Sequence, residues 1–386
     1  MSHLPIPSPE AAAHSARLAT MLRDEIAASR GFLPFARFME LALYAPELGY
    51  YAAGAQKFGS AGDFVTAPEM TPLFGQALAA QVAQVMAHST PRMIEAGAGS
   101  GRLAADLLLA LEKLEALPER YAFLELSADL RARQRDTIAA AAPHLLDRVE
   151  WLDRLPECFS GAIVANELLD AMPVHSVAWR AEGICERGVG VDGEGRFIWL
   201  EQPAQGALLA VAEQLAADCQ LPPGYESEIG LAAPRWAAEW GRILQTGALL
   251  LIDYGLPRSE FYHPQRDRGT LMCHYRHQAH ADPFHLPGLQ DITAHVDFTA
   301  IITAAHAAGL ELLGYTTQAH FLVNCGILDA LARLTPGTPA YLRAAAAVNQ
   351  LLLPHEMGER FKVMAVGRGI DLPLSGFRHG DQSHRL

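Results

Sequence analysis

An acidic residue at the end of an apolar stretch, followed by a glycine-rich turn, is the part of this chain best suited to bind a ligand. The stretch Met93–Ala96 is apolar apart from Glu95 and leads directly into the turn G-A-G-S-G. Because glycine has no Cβ, such a turn lets the backbone approach a nucleotide-like ligand at the N-terminus of the following helix. The residues predicted to contact this ligand are Glu95, Gly97, Gly99 and Gly101.

The spacing of the acid and the glycines distinguishes two classes of nucleotide cofactor. The dinucleotide fingerprint G-x-G-x-x-G/A requires a small residue where this chain has Arg102. An acid two residues before the first glycine, with the third glycine one position early, is instead typical of S-adenosyl-L-methionine (SAM) methyltransferases. SAM carries an amino group and a sulfonium but no phosphate, so a carboxylate suits it better than it suits a pyrophosphate. The pattern therefore favours SAM over a nicotinamide dinucleotide.

A second acid supports this interpretation. The apolar stretch Tyr121–Glu125 ends in an acid 24 residues after Gly101. An acid at about that distance along a β-α-β unit accepts hydrogen bonds from the ribose hydroxyls of a nucleotide. On its own Glu125 could equally be a solvated strand terminus, but together with the glycine turn it predicts a SAM-binding fold.

Strands and helices alternate around these acids. The predicted strands are 93–96, 122–125, 149–152 and 162–165, and the predicted helices are 102–114, 128–141 and 167–171. This alternation indicates an α/β fold with a doubly wound, Rossmann-like parallel sheet. Further strands are predicted at 248–255, 310–315 and 361–367, with helices at 298–308 and 326–350.

Composition shifts divide the chain into five predicted regions. They are an N-terminal helical and Gly-rich lid region (1–90), a first part of the SAM-binding core (91–175), an inserted antiparallel meander with helices (176–246), a second part of the core with a long loop at 257–290 (247–370) and a mobile tail (371–386). Within the insertion, Asp192-Gly193 predicts a hairpin turn.

Net charge, hydropathy and cysteine spacing predict which partners and which compartment suit this protein. The net charge of −13 disfavours nucleic acid, and the basic cluster Arg131, Arg133 and Arg135 is interpreted as a solvated helix face. No apolar run is long enough to predict a membrane span. The five scattered cysteines form no C-x-x-C pair, which predicts reduced thiols and a cytoplasmic protein. The oligomeric state is left open.

Several longer motifs resemble the MidA-like SAM-dependent methyltransferases, which include a mitochondrial complex I assembly methyltransferase. The resemblance extends from about residue 35 to 368. It rests on YAPELGYY (44–51), GDFVTAPE (62–69), the Glu95–Gly101 turn, NELLDAMPVH (166–175), DYG (253–255) and DITAHVDF (291–298). Two positions depart from the usual family wording: Ala67 stands in a serine position and Asn166 in a histidine position.

The resemblance implies a protein arginine N-methyltransferase whose acceptor is a protein such as a complex I (NADH dehydrogenase) subunit. An arginine guanidinium stays protonated and presents a planar fork of donors, so carboxylates are needed to orient it and to balance its charge. The acids after the strand 162–165 lie at the edge where α/β sheets bind ligands. We therefore predict Glu167 as the main acceptor-orienting carboxylate, with Asp170 and Asn166 beside it.

The Gly-rich segment before residue 70 is predicted to fold as a lid over SAM. Its candidate cofactor-binding residues are Gly62, Asp63, Pro68 and Glu69. The alternative for Glu69 is a cap on the helix that starts near Thr71. The tract from Cys273 to His285 is rich in histidine but lacks zinc-site spacing, so no metal is predicted.

Three other functions stay open at this point. One is a methyltransferase that acts on a small molecule or on a residue other than arginine. Another is an assembly chaperone that keeps SAM as a structural ligand. The third, a nicotinamide dehydrogenase, is disfavoured by Arg102.

Overall fold

The computed structural model describes residues 4–52 and 66–386 and divides the chain into two compact units. Unit 1 comprises Met1–Phe64, Asp170–Ala233 and Leu256–Asp297, and unit 2 comprises Val65–Leu169, Pro234–Gly255 and Phe298–Leu386. The helices are α1 (Pro9–Ala28), α2 (Phe35–Tyr44), α3 (Ala67–Met70), α4 (Pro72–Ala87), α5 (Arg102–Lys113), α6 (Ala128–Ala141), α7 (Gly206–Cys219), α8 (Ala232–Ile243), α9 (Arg258–Phe261), α10 (Phe298–Ala307), α11 (Gln318–Asn324), α12 (Ile327–Ala332) and α13 (Pro339–Leu352).

The strands are β1 (Leu33–Pro34), β2 (Arg92–Ala96), β3 (Arg120–Leu124), β4 (Val149–Leu152), β5 (Phe159–Asn166), β6 (His175–Arg180), β7 (Gly183–Val191), β8 (Phe197–Pro203), β9 (Tyr225–Ile229), β10 (Leu244–Leu256), β11 (Met272–Tyr275), β12 (Gln278–His280), β13 (Asp291–Thr293), β14 (Val296–Asp297), β15 (Glu311–Thr317) and β16 (Phe361–Arg368). In the described ranges, no helix combines the length and the apolar character needed to cross a bilayer.

Unit 2 is built on a mostly parallel sheet. Its strands follow the order β15-β16-β10-β5-β2-β3-β4, in which β10, β5, β2, β3 and β4 are parallel and β16 is antiparallel to both of its neighbours. One face of the sheet packs against α4, α5, α11 and α13 to form a continuous apolar core. This arrangement confirms the Rossmann-like α/β class that the alternating strands and helices predict.

Helices α4 and α6 each begin at a residue whose side chain caps the first turn. The Thr71 hydroxyl caps α4 by accepting the Leu73 N–H, and Pro72 occupies the first helical position, where no N–H is needed. The Ser127 hydroxyl caps α6 by accepting the Leu130 N–H. The capping residue of α4 is therefore Thr71, and the alternative interpretation of Glu69 as its cap is wrong.

Two predicted helices differ in the structure. The segment 167–171 forms a turn, because Glu167 adopts a left-handed conformation with φ of +49°, which interrupts a right-handed helix. The predicted helix 326–350 is divided into α12 and α13. Pro336 and Gly337, which has φ of +80°, separate the two helices.

Unit 1 consists of two small antiparallel sheets with helices packed against them. The larger sheet has the order β1-β7-β6-β9, with β8 pairing to β7, and the smaller one has the order β12-β11-β13. The hairpin between β7 and β8 closes at Asp192, whose carboxylate accepts the backbone N–H groups of Glu194 and Arg196; the left-handed residue is Gly195, not Gly193. The predicted loop 257–290 contains α9, β11 and β12, and the hairpin β11–β12 pairs with β13.

The C-terminal segment packs onto unit 2, in contrast to the mobile tail that the sequence predicts. Phe377 is buried against Phe321, with ring centroids 5.5 Å apart. The Asn324 amide donates to the carbonyls of Gly376 (2.9 Å) and His379 (2.8 Å), and Asp381 accepts the Tyr315 N–H. Buried apolar area and satisfied backbone groups therefore hold this segment in place.

We expect Phe377→Ala to lower the free energy of unfolding by about 3 kcal/mol, because it leaves a cavity against Phe321. His384→Ala, at an exposed position of the same segment, is the matched control and is expected to have no measurable effect. Denaturant unfolding of both variants checks this, and equal stability of Phe377→Ala and wild type would contradict the packing of the tail.

Candidate active site

Three neighbouring strands of unit 2 end at the same level. Ala96 of β2 pairs with Leu124 of β3 on one side and with Ala165 of β5 on the other. The strand order reverses between β2 and β5, and ligands bind outside the carboxyl ends of strands at such a switch point. The residues that follow these strands therefore lie at one edge of the sheet. They are Gly97 after β2, Glu125 after β3 and the residues that follow Ala165 in β5.

The glycine turn requires glycine for both conformation and space. Gly97, Gly99 and Gly101 have φ of +71°, +50° and +80°, in the left-handed region that residues with a Cβ rarely adopt. A Cβ at Gly97 would lie 2.8 Å from the Leu168 side chain, and one at Gly101 would lie 3.0 Å from Cα of Gln134. The turn is thus packed tightly between the segment after β5 and helix α6.

Glu95 is a buried carboxylate beneath the turn. It is 2% exposed and accepts a hydrogen bond from the Tyr121 hydroxyl on the adjacent strand. Burial raises the pKa of Glu95 to about 7, and the Tyr121 hydrogen bond opposes this rise. A nearby cation would restore the ionised form, which suits the amino group and sulfonium of SAM.

Glu125 is held in a fixed orientation at the end of β3. One carboxylate oxygen accepts the Ser127 N–H (2.9 Å) and the other accepts the Gln134 amide (3.1 Å). Burial raises the pKa of Glu125, while these hydrogen bonds lower it. A carboxylate has about four acceptor sites, so it keeps capacity for ribose hydroxyls.

The lid residues are described only in part. Gly62 and Asp63 lie outside the described residues. Pro68 is buried in α3, and the Glu69 carboxylate accepts a hydrogen bond from the Ser100 hydroxyl of the glycine turn. Glu69 is therefore in direct contact with the turn.

Glu167 and Asn166 follow β5 at the same edge. The Glu167 N–H donates to the Ile252 carbonyl (2.8 Å), and this bond helps to hold the left-handed backbone of Glu167. The Asn166 amide donates to the Glu167 carboxylate (3.1 Å), while Asn166 Oδ1 is buried and accepts no hydrogen bond from the described part of the chain. Left-handed backbone at a non-glycine residue costs about 1–2 kcal/mol and is concentrated at functional sites.

A buried acid on β10 supports this segment. Asp253 is 1% exposed, and its carboxylate accepts the Leu169 N–H at 2.8 Å and the Tyr254 N–H at 2.9 Å. These bonds anchor the backbone two residues after Glu167. Asp253 therefore orients the chain after β5.

The third predicted catalytic residue, Asp170, belongs to unit 1. It is buried, and its carbonyl accepts the Ala294 N–H (3.0 Å). Burial raises the pKa of Tyr51, and the negative charges of Asp291 and Asp170 add to this rise. Its predicted role in acceptor binding stays a prediction.

Helix α6 contributes residues that the sequence analysis missed. Gln134 donates to the Gly99 carbonyl and to Glu125, and Thr137 donates to the Ser100 carbonyl (2.7 Å). Gln134 and Ile138 are the buried residues of this helix, so a polar residue on its buried stripe was the available signal.

The prediction that the basic cluster on α6 is a solvated helix face is wrong for Arg131, whereas Arg135 is exposed, as predicted. Arg131 donates to the Glu125 carbonyl (2.8 Å) and to the Leu152 carbonyl (3.1 Å), and so closes the ends of β3 and β4. The Arg135 guanidinium lies 4.5 Å from the centroid of the Trp151 ring. Arg131 is therefore structural, because it satisfies strand-end carbonyls, and the exposed Arg135 places its guanidinium over an aromatic ring.

The residues at this edge fit SAM better than a phosphate ligand. Arg102, the basic residue at the start of α5, is paired with Asp106 at 3.0 Å. The Arg131 guanidinium is held by the Glu125 and Leu152 carbonyls, and the carboxylates at the turn are Glu69, Glu95 and Glu125. Within the described ranges, no group of three His, Cys, Asp or Glu side chains could hold a metal ion.

Comparison with solved structures identifies a similar fold over the full chain. A protein from Burkholderia thailandensis, solved bound to S-adenosyl-homocysteine, is 52% identical, and the match covers 100% of both chains with a TM-score of 0.96. A native structure of a Burkholderia thailandensis protein matches with 52% identity, 100% coverage of both chains and a TM-score of 0.93.

More distant relatives carry an enzymatic name. The mitochondrial protein arginine methyltransferase NDUFAF7 of Danio rerio is 27% identical, over 87% of this chain and 83% of its own length. The corresponding homolog of Drosophila melanogaster is 28% identical, over 92% of this chain and 85% of its own length.

A family model described as "Putative S-adenosyl-L-methionine-dependent methyltransferase" matches residues 74–316. This range contains the glycine turn, Glu125 and the segment after β5. The resemblance inferred from the motifs is confirmed by this match, by the relatives and by the fold. The chain belongs to this family of S-adenosyl-L-methionine-dependent methyltransferases, and SAM is its cofactor.

Proposed function

We propose that this methyltransferase modifies arginine side chains of a protein. The observation that carries the proposal is the paired acceptor set after β5, in which the Glu167 carboxylate is held by Asn166 and by a left-handed backbone. The names of the relatives from Danio rerio and Drosophila melanogaster support the same acceptor class. A complex I subunit is the acceptor that the family resemblance suggests.

The residues of the glycine turn and its neighbours would hold the cofactor. Glu125 would accept the ribose hydroxyls, and the turn Gly97–Gly101 would give the backbone close access to the ligand. Glu95 and Glu69 would balance the positive charges of the amino group and the sulfonium. Bound SAM supplies a methyl group on a positively charged sulfur.

Glu167 and Asn166 would orient the acceptor. A guanidinium presents several N–H donors in one plane, and the Glu167 carboxylate together with Asn166 Oδ1 offers acceptors for two of them. The carboxylate also balances positive charge as the nitrogen forms a bond to the methyl carbon, the sulfur–methyl bond breaks to leave S-adenosyl-homocysteine, and the nitrogen releases its proton to solvent. Fixing the acceptor nitrogen in line with the methyl group contributes on the order of several kcal/mol.

We expect Glu167→Gln to reduce methyl transfer by about 100-fold, because the charge that balances the guanidinium is lost. Binding of S-adenosyl-homocysteine is expected to stay within about threefold of wild type. The assay labels proteins of a deletion strain with methyl-tritiated SAM and identifies the labelled residue after hydrolysis.

Labelled methylarginine in protein would support the proposal. Label on a small molecule or on another amino acid would refute the arginine acceptor while leaving the methyltransferase class intact. Full complementation of the deletion strain by Glu167→Gln would instead favour an assembly role in which SAM is a structural ligand.

The strain at Glu167 predicts an unusual order of stabilities. We expect Glu167→Gly to be more stable than Glu167→Ala by about 1 kcal/mol, because only glycine adopts φ of +49° without penalty. In ordinary backbone the order is reversed, since glycine loses more entropy on folding. Thermal unfolding of the two variants decides this, and a more stable Ala variant would show that position 167 is unstrained.

SAM affinity should depend on the ionisation of Glu95. Because burial raises the pKa of Glu95 to about 7, the free enzyme holds this residue protonated below that pH. A cationic ligand favours the carboxylate, so affinity should rise on the order of tenfold between pH 5.5 and 7.5.

Glu95→Gln cannot ionise and should show a nearly flat affinity profile over the same range. Calorimetry with SAM measures both profiles. A steep rise that persists in Glu95→Gln would assign the pH dependence to another group.

A further inference from the structure

Gln134 of α6 is a fully buried amide in contact with both halves of the cofactor site. Its Nε2 donates to the Gly99 carbonyl (3.1 Å) in the glycine turn and to the Glu125 carboxylate (3.1 Å). Its Oε1 accepts the Trp151 indole N–H (3.0 Å) from β4. A single side chain therefore connects the turn, the ribose-site acid and the neighbouring strand.

The partners of Gln134 permit only one orientation of its amide. An indole N–H only donates, whereas a carbonyl and an ionised carboxylate only accept. The oxygen must therefore face Trp151, and the NH₂ group must face Gly99 and Glu125. A flipped amide would place oxygen against two acceptors and nitrogen against a donor. Trp151 thus fixes the donors of Gln134 toward the cofactor site.

Holding the Gly99 carbonyl also fixes the N–H of the same peptide group, which is that of Ser100. In a planar trans peptide the N–H points opposite to the C=O, so the Ser100 N–H is directed away from α6. The Thr137 hydroxyl holds the Ser100 carbonyl in the same way, and the following Gly101 N–H donates to the Ala98 carbonyl (2.9 Å). Helix α6 thereby sets the direction of the turn's donors at the N-terminus of α5.

We propose that Gln134 is a positioning residue for SAM, which acts by aligning the Glu125 carboxylate and the glycine turn with the nucleoside. This inference rests on the proposed role of Glu125 at the ribose. Gln134 reaches the ligand through these two elements, and Trp151 acts through Gln134. The sequence motifs assign no function to either residue.

The test is a double-mutant cycle on binding of S-adenosyl-homocysteine, measured by calorimetry. Gln134→Met keeps the length of the side chain but removes its donors, and we expect it to weaken binding about tenfold. In a Glu125→Gln background the same change should weaken binding by less than about threefold, since its main target is already altered. Trp151→Phe leaves Gln134 in place and should give a smaller loss in the same direction.

Gln81→Met is the matched control. Gln81 is an equally buried glutamine of unit 2 that accepts the Gly376 N–H (2.8 Å) and donates to Gln84 (3.0 Å), where it helps to anchor the C-terminal segment. This variant should lose stability without a change in affinity.

Three results would overturn the inference. The first is a double variant whose loss of affinity equals the product of the losses from Gln134→Met and Glu125→Gln. The second is a loss of affinity in Gln81→Met as large as that in Gln134→Met. The third is wild-type affinity in both Gln134→Met and Trp151→Phe. If Gln134→Met fails to fold, coupling between Trp151→Phe and Glu125→Gln decides in its place. Absence of binding by the wild-type protein would instead refute the proposed cofactor contacts, and the positioning role with them.

Discussion

The alignment of parallel strands at their carboxyl ends is the constraint on which the site depends. Ala96, Leu124 and Ala165 are held level by backbone hydrogen bonds between β3, β2 and β5. Because register is set by pairing along whole strands, a slip of one residue would turn every side chain to the opposite face. Because the three strands end at the same level, residues that are far apart in the chain lie at one edge of the sheet.

This edge contains several buried carboxylates, and each is accommodated differently. Glu95 shares a hydrogen bond with Tyr121, Glu125 is oriented by a backbone N–H and an amide, and Asp253 accepts two backbone N–H groups. Burial of charge is costly unless it is hydrogen-bonded or paired. A site with this surplus of negative charge is prepared for a cationic ligand, in agreement with the cofactor of the family.

The sequence predicted correctly those strands and helices whose bounds are set by neighbouring residues in the chain. Strand β4 and helix α6 match their predicted bounds, because an apolar run and a capping serine mark them directly. The turn after β5 was mistaken for a helix, since residues 167–171 have helical propensity but the backbone at Glu167 is left-handed. The Glu167 N–H donates to the carbonyl of Ile252, 85 positions later, and this bond opposes the helical propensity. A hydrogen bond between residues so far apart cannot be predicted from the local sequence.

Residue types and their spacing were enough to predict the chemistry of the edge where β2, β3 and β5 end. Glycines where the backbone must take positive φ, and acids at strand ends, are dictated by residue type and by spacing along the chain. How these groups are held depends on packing between elements that are far apart in the chain. Gln134, Trp151 and Asp253 lie on separate elements, and their hydrogen bonds form once α6, β4 and β10 are packed around β2, β3 and β5. Such contacts join residues far apart in the chain, so the fold creates them and spacing cannot reveal them.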